Sequence, residues 1–109
     1  MSTLQKFKLI FYVPPSALSA CTTAVFAAGA GRFANYTECC FTSRGMGQFR
    51  PRDAAKPNIG EVGKLEEVEE VRVETVCVGR DVMGRVVGAL KSAHPYEEPA
   101  YEVLKLEDF

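Results

Sequence analysis

His94-Pro95-Tyr96-Glu97-Glu98 places an imidazole, a phenol and two carboxylates within five consecutive residues, and His94 is the only histidine of the chain. Such a set could hold a divalent metal ion or pass a proton, and its side chains are the only candidates for acid–base work that the sequence offers. Two features oppose convergence on one ion. Pro95 and Pro99 stiffen the run, and adjacent Glu97 and Glu98 diverge on an extended backbone. The structural alternative is that His94 caps a helix end, where an imidazolium suits the dipole. Tyr96 then packs, and the carboxylates accept from backbone N–H groups or from an arginine.

A second segment, Gly45-Met46-Gly47-Gln48-Phe49-Arg50-Pro51, lets the backbone approach a neighbour closely. Arg44, Arg50 and Arg52 around it supply charge suited to an anion. A third, Gly29-Ala30-Gly31, resembles a phosphate loop only superficially. A phosphate-binding turn has a strand before it and a helix N-terminus after it, whereas here a helical pattern precedes the glycines, so they read as a helix stop. The cysteines at 21, 39, 40 and 77 include no C-x-x-C pair. Cys21 and Cys77 lie in apolar periodic segments and read as small hydrophobes. Cys39 or Cys40 could complete a softer site for copper or zinc.

The elements that must position these groups follow from periodicity. Residues 4–13 alternate and then become continuously apolar, as a central strand does. Pro14-Pro15 ends it, and Leu18, Cys21, Val25 and Ala28 recur at helical spacing until the glycines. Residues 35–44 read as a second strand from their aromatic and β-branched content, and Gly45 to Gly63 as a long loop with Phe49 as its anchor to the core. A third strand is placed at 69–78, with Val71, Val73, Thr75 and Cys77 on one face. The acidic residues around its start read as a solvated face rather than a cation site. A second helix is expected at about 80–93, with Asp81 as N-cap and Val82, Val86, Ala89, Leu90 and Ala93 as its buried stripe. A last strand is expected at about 99–106.

The order strand, helix, strand, strand, helix, strand fits an α+β, ferredoxin-like βαββαβ sandwich: a four-stranded antiparallel sheet with two helices on one face. The other sheet face then stays bare unless an oligomer covers it, and the apolar content of both faces of strands one and three points to self-association. At 109 residues the chain reads as a single domain, residues 1–109. A net charge of −1 argues against nucleic-acid binding. No apolar run reaches the ~20 residues that span a bilayer. Neither a signal peptide nor a disulfide framework is legible, which makes the cytoplasm the expected location.

Four motifs stand in order: Val13-Pro14, Gly29 through Tyr36, Gly45 through Pro51 with Gly60 and Gly63 beyond, and His94 through Tyr101. Together they resemble the inserted domain of the NGG-interacting-factor-three-like family, also labelled YqfO-like or GTP cyclohydrolase I type two, whose insert is similar to the PII and CutA folds. The resemblance runs from about Lys6 to Leu106 and implies a homo-oligomer, a trimer ahead of a dimer. In PII-like trimers the loop after the second strand borders the cleft between subunits. By that resemblance Tyr36, Arg44, Gly45, Gly47, Phe49 and Arg50 are candidate ligand residues, for a small molecule or a protein partner. The alternative for the glycine segment is a hairpin extension that packs on the next subunit. His94, Glu97 and Glu98 remain the candidate metal set. Full-length members resemble two halves of a dinuclear metal domain flanking this module, and one histidine does not supply that centre, so the expected role is non-catalytic.

Overall fold

The computed structural model describes residues 4–109. Its elements are β1 (Lys6–Val13), a 3₁₀ turn (Pro15–Ala17), α1 (Leu18–Ala27), β2 (Phe41–Phe49), β3 (Glu66–Val78), α2 (Arg80–Ala93) and β4 (Tyr101–Leu106). The strands form one antiparallel sheet in the order β2-β3-β1-β4. This is the ferredoxin-like sandwich expected from the element order.

The strand alternation decides which face carries the core. Phe7, Leu9, Phe11 and Val13 of β1 stand opposite Cys77, Thr75, Val73 and Val71 of β3. All eight are buried, and they meet Cys21 and Val25 of α1 and Met83, Val86 and Leu90 of α2. The helical residues recur at three- and four-residue spacing, so each helix offers one apolar stripe to the same sheet face. Burial raises the thiol pKa of both core cysteines, that of Cys77 to about 11, and both sit as small apolar groups.

Gly29-Ala30-Gly31 ends α1 as a Schellman motif. Ala30 N–H donates to Val25 O at 3.0 Å and Gly29 N–H to Phe26 O at 3.1 Å, with Gly29 at φ +120°. Gly31, at φ +76°, then donates to Val76 O at 2.9 Å and accepts from Cys39 N–H at 2.8 Å. The chain is thereby tied to the β3 edge just beyond the end of β2.

Several boundaries differ from the sequence reading. The second strand occupies 41–49, not 35–44, so Gly45 and Gly47 lie in a strand rather than a loop. Residues 33–38 instead form a tight turn in which Ala34 and Glu38 adopt φ +51° and +58°, a backbone their β-like composition does not announce. The third strand begins at Glu66 rather than 69, because β2 pairs with it as far as Phe49↔Glu66. Since β1 pairs only with Val71–Val78, the segments 45–49 and 66–70 make a two-stranded ribbon that runs past the sandwich. This ribbon helps stretch the molecule to 51 × 23 × 23 Å. The N-cap of α2 is Gly79, not Asp81; Asp81 lies in the first turn, where its charge suits the dipole.

A Cβ at Gly31 would sit 2.8 Å from Cys39 O and 2.9 Å from Cys39 N at a backbone angle that disfavours side chains, whereas one at Gly45 meets nothing within 4 Å. Gly31→Ala is therefore expected to cost about 1–3 kcal/mol in urea unfolding, and Gly45→Ala less than about 0.5 kcal/mol.

Candidate functional site

His94 is buried, at 6% exposure. Its Nε2 lies 2.7 Å from Tyr12 O and its Nδ1 accepts from Tyr96 N–H at 3.1 Å. A carbonyl can only accept, so Nε2 carries the proton and Nδ1 the lone pair. The imidazole thus bonds the end of β1 to the segment that follows α2, and Tyr12 N–H donates to Ala100 O at 3.2 Å alongside it. His94 is the C-cap residue of α2, as expected, its N–H donating to Leu90 O at 2.9 Å, but its ring joins a strand end to a turn instead of facing the helix carbonyls. It also separates the expected metal set. Both ring nitrogens of His94 are committed, Glu97 accepts from Lys56 N–H at 3.2 Å with both oxygens, and Glu98 is exposed. No group of three or more His, Cys, Asp or Glu among the described residues is placed to hold a metal ion.

Glu97 anchors the loop 50–65 against the segment 94–100, and a cleft of about 1030 Å³ lies between them. Phe49, Arg50, Arg52, Glu70, Tyr96 and Glu97 line it. The neck of the loop is closed twice: Gly63 N–H donates to Pro51 O at 2.7 Å, and Arg50 Nη1 donates to Gly63 O at 2.8 Å. Phe49 is not an anchor into the main core. Its ring stands 6.4 Å from that of Tyr96, which in turn meets His94 edge-on at 4.8 Å.

Phe49 and Glu70 project from the helix-free side of the sheet, as the register with Glu66 and Gly45 requires. The Glu70 carboxylate folds over Gly47, and the absence of a side chain there is what leaves this flexible carboxylate room to lie inward. Burial pushes the Glu70 carboxyl up, with the His94 ring opposing that shift. Burial and then the Glu70 charge push the Tyr96 phenol up, and the Tyr96 hydroxyl is buried with no hydrogen-bond partner among the described residues. Tyr96 packs as the sequence suggested, but Glu70 carried no such sign: the fourth glutamate of an acidic run does not announce itself as the one that folds inward.

Of the expected anionic-ligand residues, Gly47, Phe49 and Arg50 stand at or beside the cleft, but the arginines are largely spoken for. Arg44 pairs with Glu69 at 2.9 Å across the ribbon, and Arg50 holds the loop neck, which leaves Arg52 exposed at the rim. Gly45 lies open on the ribbon. Tyr36 is remote: its turn is tied to β3 at Val76, and the strand from Glu70 to Val76 spans about 20 Å.

The chain is 47% identical over 100 residues to the GTP cyclohydrolase 1 type 2 homolog of Bacillus subtilis, covering 92% of this chain and 26% of that protein. It is 44% identical over 99 residues to the homolog of Mycobacterium tuberculosis, with 91% and 26% covered. Among solved structures, a Bacillus cereus protein related to NIF3 superposes with a TM-score of 0.83 at 36% identity, covering 99% of this chain and 27% of that one. The chain is a short NIF3-like domain. No protein-family model matches it, and it spans about a quarter of the length of the curated relatives. The divalent ion tolerance protein CutA1 of Ehrlichia chaffeensis matches the NIF3-like domain with a TM-score of 0.68 at 12% identity, over 99% of this chain and 87% of that one. The Bacillus subtilis GlnK–ATP complex does so at 0.62 and 13%, over 94% and 82%. These two establish the PII/CutA-like fold. No helix among the described residues is long and apolar enough to cross a membrane.

Two outcomes follow from this site. Removing the ring in His94→Ala strands Tyr12 O and Tyr96 N–H. It should cost about 1–3 kcal/mol in denaturant melts while leaving any zinc binding seen by titration calorimetry unchanged. For Glu70 the folded pKa lies above the ordinary 4.5 because burial penalises the charge. The protonated form is then favoured in the fold: its contribution is complete below pH 4.5 and is lost as pH rises through the folded value. Glu70→Gln should match wild type at pH 4 and be the more stable protein at pH 8, measured by urea unfolding at both.

Proposed function

We propose that this domain is a non-catalytic, self-associating module that holds a small ligand or a protein partner at clefts between subunits. The observation that carries the reading is the helix-free face of the sheet. By register it bears Ile10, Phe41, Leu104 and Leu106, and Phe41 and Leu104 are 67% and 47% exposed. Large exposed apolar side chains grouped on one face mark an interaction surface. The same face carries a charge ladder in which Glu74 lies 3.7 Å from Lys8 and 3.5 Å from Arg72, so a partner surface must meet charge as well as apolar area. Arg72 Nε is buried without a hydrogen bond of good geometry, a group that a second copy could satisfy.

A closed ring of copies, a trimer ahead of a dimer, is the assembly this reading favours. Phe49, Arg50 and Gly47 with Tyr96 and Arg52 form the ligand side of the cleft. Nucleotides are the first probes to titrate, since one fold neighbour was solved with ATP. A divalent ion is the weaker reading, because His94 has no free nitrogen to offer.

Sedimentation velocity at micromolar concentration should show an oligomer. Phe41→Glu combined with Leu104→Glu should shift it to monomer while leaving the circular dichroism spectrum and folding cooperativity intact. A folded wild-type monomer at that concentration overturns the reading.

A further inference from the structure

The turn Phe33-Ala34-Asn35-Tyr36 is the most deliberately built exposed feature of the molecule. Phe33 N–H donates to Tyr36 O at 2.9 Å and Tyr36 N–H donates to Phe33 O at 2.8 Å, a closed two-residue hairpin. Its first central residue, Ala34, holds φ +51°, and Glu38 just beyond holds φ +58°. Such backbone favours glycine and is retained by other residues only where the surroundings over-determine it. The surroundings do so here: Gly31 is bonded to Val76 and Cys39, and the Thr75 hydroxyl donates to Cys39 O at 2.8 Å. The product of this bracing is two aromatic side chains in solvent, Phe33 at 71% and Tyr36 at 68% exposure.

We infer that the Phe33–Tyr36 turn of one copy is seated in the cleft between the loop 50–65 and the segment 94–100 of a second copy. The inference rests on the self-association reading above and names the contact that completes the cleft. Three observations carry it. The turn and the cleft lie at opposite ends of β3, so one copy cannot bring them together and a head-to-tail contact between copies can; such heterologous contacts close into rings. The cleft, about 1030 Å³ with Phe49 and Tyr96 in its wall, has room for two rings. Preformed aromatic anchors in pockets are the contacts that dominate interfaces. The charges are complementary: the cleft is lined by four carboxylates, Asp53, Glu70, Glu97 and Glu98, against Arg50 and Arg52, while Arg32 beside the turn makes no ion pair among the described residues.

The test places the photo-reactive residue p-benzoylphenylalanine at position 36 of the full chain and irradiates the purified oligomer, mixed with an isotope-labelled copy so that cross-links between chains are distinguished by mass. Cross-links between chains from position 36 to peptides 50–63 or 94–100 are expected. Phe33→Ser with Tyr36→Ser is expected to weaken self-association roughly tenfold or more while leaving the melting temperature of the unassociated chain unchanged, because both side chains are exposed. An intact oligomer whose cross-links map elsewhere, or whose association the double variant does not weaken, overturns this inference and leaves the self-association reading standing. A wild-type monomer overturns both.

Discussion

The buried hydrogen-bond pair of His94 is the constraint on which the site depends. β1 ends at Val13 and α2 at Ala93, and nothing in their packing alone determines where the chain goes next. The imidazole decides it. One nitrogen donates to Tyr12 O and the other accepts from Tyr96 N–H, so the strand end, the helix end and the following turn become one unit. The turn sets Tyr96 against Phe49 and delivers Ala100 to Tyr12, from which β4 continues alongside β1. Glu97 then reaches the loop at Lys56. A tertiary bond near the C-terminal strand thereby positions a loop some forty residues earlier in the chain. Histidine suits this place because a neutral ring is both a donor and an acceptor in fixed directions, whereas a lysine or arginine could only donate.

The fold was largely legible in the sequence, and the misplacements have a common physical origin. β1, both helices and the core half of β3 are long apolar patterns whose period matches their geometry, and their burial follows that pattern. The second strand failed because composition and conformation disagree there. Tyr36, Thr37, Cys39 and Cys40 suit a strand, yet Ala34 and Glu38 adopt a left-handed backbone imposed by tertiary hydrogen bonds that no local pattern encodes. The glycines at 45 and 47 suggest a loop, yet in an edge strand the space left by Gly47 is filled from across the ladder by Glu70. Five acidic residues between 66 and 74 looked uniformly solvated. Glu69 and Glu74 form ion pairs, and Glu70 turns inward. Their difference is set by strand register, which is a property of the pair of strands and not of either alone.

The site was legible in part. The His94–Glu98 run and the glycine–arginine segment do meet in space, which the sequence could not show, but they meet as structure. His94 is a tether, Glu97 a loop anchor, Arg50 a neck clamp and Arg44 one half of a surface pair. Residue types that could do chemistry are consumed in holding a cleft open. What remains uncommitted at the cleft is its shape, the rings of Phe49 and Tyr96, and the charges of Arg52, Asp53 and Glu98.

Stability is spent unevenly in this domain, and the distribution is informative. A small sandwich needs its sheet and two helices to fold, and these use unstrained backbone throughout. Among the described residues, the non-glycine ones with positive φ, Ala34 and Glu38, both belong to the short passage between α1 and β2. Each such residue costs of order 1–3 kcal/mol, a sizeable fraction of what a domain of this size retains. A glycine at position 34 would remove the cost without altering the path of the chain. Folding alone gives no reason to keep alanine there, and packing gives no reason to leave Phe33 and Tyr36 in water. The strain is held by bonds within the chain, those of Gly31 to Val76 and Cys39 and of Thr75 to Cys39, and what they hold in place is a pair of exposed rings.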